Sequence, residues 1–78
     1  MIKVKLFGLL RLDSGIKEIE LEAGAVKDLY AELEKASDIL SAKKLEACVV
    51  IVNGKSANKN TRLSDGDEVS FLSPVAGG

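Results

Sequence analysis

Apolar and polar residues alternate at the start of the chain. One side of the segment "MIKVKLF" carries Ile2, Val4 and Leu6, and the other side carries Lys3, Lys5 and Phe7. This period of two predicts a β-strand with one face against a core. The segment "IKEIELE" alternates again after the turn-forming residues "LDSG". The two segments predict a β-hairpin, whose second strand turns Ile16, Ile19 or Leu21 inward.

From Ala25 onward the apolar residues follow a helical period. Val26, Leu29, Tyr30 and Leu33 occupy positions i, i+3, i+4 and i+7, which predicts an amphipathic helix with one buried face. The following stretch, "SDILSAKKLEA", is compatible either with a further helical turn or with a loop.

The C-terminal half predicts two further strands. "ACVVIVNGK" is rich in β-branched residues and ends at an Asn-Gly turn, which is typical of a buried strand. We expect the polar stretch "SANKNTRL" to be irregular and "SDGD" to form a tight turn. The last strand, "EVSFLSP", ends at Pro74, because proline has no N–H to donate to a neighbouring strand.

The order strand, strand, helix, strand, loop, strand predicts an α+β protein with the β-grasp fold of ubiquitin. We expect a mixed sheet of four to five strands, with the first and last strands side by side and one main helix packed on one face. With 78 residues the chain has room for a single domain. The predicted domain covers residues 1–73, and residues 74–78 are predicted to form a flexible tail.

Composition and charge exclude several classes of function. Eleven lysines and arginines almost balance twelve aspartates and glutamates, and aromatic residues make up 4% of the chain, which argues against nucleic-acid binding. The longest apolar run, "ACVVIV", is far too short to cross a membrane. With no histidine, no Ser-His or Cys-His pair and no imidazole-based zinc site can form. We expect no metal site, no cofactor bound by this chain and no autonomous catalytic activity.

The single cysteine bears on the cellular location of the protein and on the burial of its own side chain. Cys48 cannot form an internal disulfide, so a reducing cytoplasmic location fits the chain best. Its place inside an apolar run predicts a small buried hydrophobic side chain rather than a reactive thiol.

The alternation in the last strand predicts an exposed apolar pair. If Val69 and Phe71 face the helix, Leu72 emerges on the outer face of the sheet, where Phe7 also emerges. Two bulky apolar side chains on adjacent strands, beside the exit of the tail, would suit a partner-binding surface. The alternative is that the strand ends curl and return both side chains to the core.

The terminal segment "PVAGG" also has two interpretations. Terminal glycines are often frayed ends or remnants of expression. However, a segment that narrows to two residues without a Cβ can lie extended in a narrow tunnel and present its carboxylate at the tip. On that interpretation another protein activates the carboxylate, for instance by adenylation.

Three segments resemble the small subunit of molybdopterin synthase, a family of β-grasp sulfur carriers. They are "LSDGDEVSFLSPVAGG", "MIKVKLFGLLR" and "VNGK". The resemblance covers nearly the whole chain in order and length, and its most specific part is the last segment, from Leu63 to Gly78. The family typically has a second proline where this chain has Ser73.

The resemblance implies a role for each residue of the tail. An E1-like enzyme would use ATP to adenylate Gly78, which would then carry sulfur as a thiocarboxylate. Gly77 and Ala76 would keep the tail narrow and flexible, so that Gly78 can enter a partner's active site. Val75 and Pro74 would anchor the base of the tail. The charged tail would enter the large subunit of molybdopterin synthase and donate sulfur for the dithiolene of molybdopterin.

The resemblance further implies that Phe7 and Leu72 belong to the partner-binding surface. Three alternatives stay open at this point. The chain could carry sulfur for thiamine or another pathway, it could be a ubiquitin-like modifier joined to target lysines through Gly78, or it could be a β-grasp interaction module with an inert tail.

Overall fold

The protein is described by a computed structural model that covers residues 1–73. Along this range the chain forms, in order, β1 (Ile2–Phe7), α1 (Leu9–Ser14), β2 (Glu18–Leu21), α2 (Val26–Ala36), α3 (Ala42–Glu46), β3 (Val49–Val52), β4 (Lys55–Ala57) and β5 (Glu68–Leu72). The predicted tail residues Pro74, Val75, Ala76, Gly77 and Gly78 lie outside the described residues.

The strands of residues 1–73 form one five-stranded sheet in the order β2-β1-β5-β3-β4. β1 and β5 run parallel at its centre, and the other neighbours pair antiparallel. A mixed sheet with the first and last strands adjacent confirms the predicted α+β, β-grasp fold. It also places the end of β5 directly beside the end of β1, because Phe7 and Leu72 are partners in the parallel register.

The core lies between the sheet and α2. All four residues of the predicted helical stripe are buried, as are the inward-facing residues of β1 and β5: Val26, Leu29, Tyr30, Leu33, Ile2, Val4, Leu6, Val69 and Phe71. The rings of Tyr30 and Phe71 lie 6.1 Å apart between centroids and are tilted by 56°, a favourable arrangement for aromatic pairs. Burying each large apolar side chain contributes about 1.5–3 kcal/mol relative to leaving it exposed, so this layer stabilises the fold strongly.

The connection between the first two strands differs from the prediction. β1 and β2 do pair antiparallel, as expected of a hairpin, but three of the four residues predicted as a turn belong to helix α1 (Leu9–Ser14). Leu10 is buried and fixes α1 against the core, while Gly15 ends the helix in the left-handed conformation (φ 75°). Six helical residues are too few for a helical period to show in the sequence.

Two stretches with weak sequence signals are also ordered. "SANKNTRL" was expected to be irregular, which is wrong for its first residues, since β4 pairs with β3. The cause is the two-residue turn at Asn53 and Gly54 (φ 50° and 83°), which returns the chain in register. At the edge of a sheet, polar side chains can remain in water. Of the two possibilities for "SDILSAKKLEA", the helical turn forms as α3.

Cys48 is only partly buried, not fully buried as predicted. Its thiol donates to the backbone carbonyl of Lys44, with 3.3 Å between sulfur and oxygen. Burial raises the pKa of the Cys48 thiol, which keeps the thiol protonated and unreactive near neutral pH.

A side-chain network joins the Asn53–Gly54 turn to the turn before β5. The carboxylate of Asp67 accepts from the Asn53 side-chain amide (2.9 Å) and from the Ser64 backbone N–H (2.7 Å). The Asn53 side-chain oxygen in turn accepts from the backbone N–H of Glu68 (2.9 Å). The bonds from Ser64 and Asn53 lower the pKa of Asp67, because they favour its charged form.

This network predicts a specific dependence of stability on pH. An aspartate titrates near pH 3.9 when unfolded, and the folded pKa of Asp67 is lower. Its contribution is therefore complete above about pH 5 and is lost as the pH falls through the folded pKa. We expect the melting temperature of the wild type to fall more between pH 6 and pH 3 than that of Asp67→Asn. Parallel melting curves of the two proteins over this range would contradict the assignment.

Candidate functional site

Three apolar side chains form a row across the outer face of the sheet, where the tail begins. Phe7 of β1 is the register partner of Leu72 of β5, and Leu72 is the register partner of Val49 of β3. Phe7 is 38% exposed and Val49 is 56% exposed, while Leu72 is half-buried. These three residues are called the apolar row below. The alternative in which the strand ends curl Phe7 and Leu72 back into the core is wrong.

The alternation along β5 explains why Leu72 faces outward. Its neighbour Phe71 is fully buried, and successive side chains of a strand point to opposite faces. In β3 the same rule buries Val50 and exposes Val49. The outer face therefore receives one apolar residue from each of three adjacent strands at the same level of the sheet.

An ion pair borders the apolar row on the outer face. Lys5 Nζ lies 2.6 Å from the Glu68 carboxylate. The hydrogen bond and the charge of Lys5 lower the pKa of Glu68, and those of Glu68 raise the pKa of Lys5. Both groups stay charged near neutral pH and compensate each other. The apolar row therefore lies next to a compensated ion pair on the outer face.

Ser73, the last described residue, is fastened to the end of β1. Its hydroxyl donates to the backbone carbonyl of Phe7 (3.0 Å) and accepts from the backbone N–H of Leu10 (3.4 Å). It lies over Gly8, where a Cβ would come within 2.5 Å of the Ser73 hydroxyl oxygen. Gly8 also adopts φ 67° and ψ −139°, a conformation that essentially only glycine tolerates. Glycine is therefore required at position 8 for two independent reasons.

The two reasons can be separated by a double-mutant cycle. Gly8→Ala is expected to destabilise the fold by roughly 1–3 kcal/mol from its backbone conformation alone, plus the cost of the clash with Ser73. Ser73→Ala removes the hydroxyl, so the same glycine substitution should cost less in the Ser73→Ala background. Urea unfolding of the four proteins measures this coupling. If the cost of Gly8→Ala is equal in both backgrounds, Ser73 does not occupy the space over Gly8.

The structure brings together two of the predicted site residues, Phe7 and Leu72, and adds Val49. Val49 was missed because "VVIV" contains apolar residues on both faces, so the pattern alone does not show which of them point outward. The other predicted site residues, Pro74, Val75, Ala76, Gly77 and Gly78, lie outside the described residues, and their roles stay predictions.

Residues 1–73 contain neither a candidate metal centre nor a candidate membrane-spanning helix. No group of three or more cysteine or carboxylate side chains in this range is placed to hold a metal ion. Among the helices of the same range, none has the length and apolar character needed to cross a membrane.

Comparison with known proteins connects this site to a family. The sequence model of the ThiS family matches residues 4–78, so the match includes the apolar row, Ser73 and the whole tail. No curated protein sequence matches the chain significantly.

Solved structures share the fold over nearly the whole chain. The small archaeal modifier protein 1 of Methanosarcina acetivorans is 29% identical, with a TM-score of 0.84, over 99% of this chain and 95% of that one. A putative molybdopterin converting factor subunit 1 from Pyrococcus furiosus is 31% identical, with a TM-score of 0.73, over 95% and 97%. A chain in the complex of subunits 1 and 2 of the molybdopterin-converting factor from Helicobacter pylori is 29% identical, with a TM-score of 0.68, over 99% and 97%.

Proposed function

The chain belongs to the ThiS family, and on that premise we propose that it is a sulfur carrier acting through Gly78. An E1-like enzyme adenylates the Gly78 carboxylate, sulfur replaces one of its oxygens, and the resulting thiocarboxylate donates sulfur for the dithiolene of molybdopterin. In this role the chain is the small subunit of molybdopterin synthase. It supplies the carrier, and its partners supply the catalytic groups.

The observation that carries the proposal is the apolar row at the base of the tail. Phe7, Leu72 and Val49 form an uncharged surface at the end of β5, and Ser73 follows directly with its side chain bonded to β1. An extended segment of five residues reaches about 16 Å. A partner that takes up Gly78 must therefore come against the surface around Ser73, and the apolar row lies there.

The chemistry of charging needs no acidic or basic group from this chain. A carboxylate is a poor electrophile, so one of its oxygens first attacks the α-phosphorus of ATP and pyrophosphate leaves. A donor at the oxidation level of sulfide then attacks the carbonyl carbon of the acyl adenylate, and AMP leaves with the oxygen. The product is a thiocarboxylate on Gly78. When the thiocarboxylate sulfur bonds to the acceptor, it joins carrier and acceptor as a thioester. Hydrolysis of the acyl C–S bond then leaves the sulfur on the acceptor and returns the Gly78 carboxylate.

The resemblance of the last sixteen residues and two of the similar structures favour molybdopterin as the destination of the sulfur. The Helicobacter pylori structure is a complex of two subunits, which supports a large synthase subunit as the second partner here. A carrier for thiamine or another sulfur pathway has the same charging step and a different acceptor.

A second candidate function is protein modification, favoured by the likeness to a small archaeal modifier protein. In that case the amine of a target lysine, rather than a sulfur donor, attacks the activated carbonyl of Gly78. An isopeptide bond then replaces the thiocarboxylate.

Reconstitution with purified proteins tests the proposal. The charged chain is incubated with the large subunit of molybdopterin synthase and the cyclic pterin phosphate precursor, and in parallel with a thiazole synthase and its substrates. We expect dithiolene formation only in the first mixture. Transfer to the thiazole alone, or recovery of Gly78 mainly in isopeptide bonds to proteins, would overturn the molybdopterin assignment.

A further inference from the structure

Helix α1, which begins directly after Gly8, carries a second exposed apolar surface in addition to the apolar row. Leu12 is 77% exposed and Leu9 is 40% exposed. Residues three apart lie on the same face of a helix, so these two leucines form one patch, called the α1 pair below. A single exposed leucine is ordinary, but an apolar pair close to a second apolar surface is typical of a binding site.

The α1 pair is held in a fixed relation to the base of the tail. Leu10, between the two leucines, is buried in the core, and its backbone N–H donates to the Ser73 hydroxyl. The same hydroxyl donates to the carbonyl of Phe7, so Ser73 connects the apolar row to α1. Exposure of Leu9 and Leu12 is therefore a property of a packed helix and not of a loose loop.

The short reach of the tail requires a partner to cover this region. A standard interface buries about 800 Å² on each partner, which corresponds to a disc of roughly 16 Å radius. A helix of six residues is about 9 Å long, and α1 begins next to Gly8, directly beneath Ser73. A partner surface centred on the exit of the tail thus extends over α1 as well as over the outer face of the sheet.

We propose that the α1 pair is a second apolar contact for the adenylating enzyme. The enzyme then binds both the apolar row and the α1 pair, which Ser73 connects. This inference rests on the proposed function, in which the adenylating enzyme is the partner that takes up Gly78 as a free carboxylate, before any sulfur is attached. The complementary surface of the enzyme is an uncharged apolar depression next to the channel that receives the C-terminal tail. Arg11 and Asp13 flank Leu12 in the sequence with opposite charges, so the contact is selected by apolar complementarity and not by net charge.

Steady-state charging kinetics with ATP, the adenylating enzyme and a sulfur donor test the inference. Leu12→Asp is expected to raise the KM for the carrier at least about tenfold, equivalent to about 1.4 kcal/mol, with little change in kcat, because the contact lies outside the reacting groups. Leu12→Met should keep the wild-type KM. Asn60→Asp is the matched control, since it adds the same charge on the loop bonded to the start of α2.

Each outcome distinguishes this inference from the proposed function. If the wild type is not charged, the proposed function fails. If the wild type is charged and Leu12→Asp keeps its KM, the α1 pair is not a contact. If light scattering shows a dimer of the wild type that Leu12→Asp dissociates while KM is unchanged, the pair joins copies of this chain and the inference is overturned. Should Leu12→Asp melt at a lower temperature, Leu12→Ser and Leu9→Ser replace it in the same assay.

Discussion

Deletion of Gly78 is expected to abolish charging of the chain while leaving its melting temperature unchanged. The deletion removes the carboxylate from the position that the adenylating enzyme requires and shortens the reach of the tail by about 3.3 Å. The described core residues all lie between Ile2 and Phe71, so the folded domain should keep its stability. Charging is measured by adenylate formation, and stability by thermal melting followed by circular dichroism.

Gly78→Ala is the control for this deletion. It keeps a carboxylate at the same distance from Ser73 and adds one Cβ, so it should retain part of the charging rate, reduced by the narrow approach to the active site. A large drop in melting temperature in either variant would show that Gly78 belongs to the folded domain. Full charging of the deletion variant would show that the terminal carboxylate has no required position.

The second large effect is expected from two neighbours on β5 that face opposite sides of the sheet. Leu72→Asp should weaken binding to the adenylating enzyme about thirty-fold, equivalent to about 2 kcal/mol, as for a central residue of an interface. Its unfolding free energy should change by at most about 1 kcal/mol, since the side chain is not in the core. Phe71→Ala should instead destabilise the fold by roughly 3–5 kcal/mol, because it leaves a cavity against Tyr30.

These two substitutions separate binding from folding. Binding is measured by calorimetry and stability by urea unfolding on the same preparations. If Leu72→Asp destabilises the fold as much as Phe71→Ala, then Leu72 is a core residue. If Leu72→Asp binds the enzyme like the wild type, the apolar row is not a partner surface.

Most of the fold could be predicted because the long elements have clear apolar periods. The helical stripe from Val26 to Leu33 and the alternation in β1 each report a buried face directly. α1 and β4 could not be predicted, because six and three residues are too short for a period. Both depend on neighbours distant in sequence or on a specific turn: α1 on the core contact of Leu10, and β4 on the two-residue turn that returns it to β3.

Site residues could be predicted where the alternation along a strand determines which face a side chain takes. They could not be predicted where the pairing of two distant strands brings residues together. Leu72 follows from the inward position of Phe71, and Phe7 follows from Ile2, Val4 and Leu6. Val49 joins them only through the antiparallel register with Leu72, which the sequence does not state. The Ser73 bonds to Phe7 and Leu10 likewise join residues more than sixty positions apart, so no local pattern in the sequence announces them.

The account depends most directly on the chemistry at Gly78. The decisive measurement is the intact mass of the chain after incubation with ATP, a cognate adenylating enzyme and a sulfur donor, with the C-terminal fragment sequenced by mass spectrometry. We expect the mass to rise by the exchange of one oxygen for one sulfur, located on Gly78. An unchanged mass, under conditions in which the same enzyme charges an established carrier, would contradict the account.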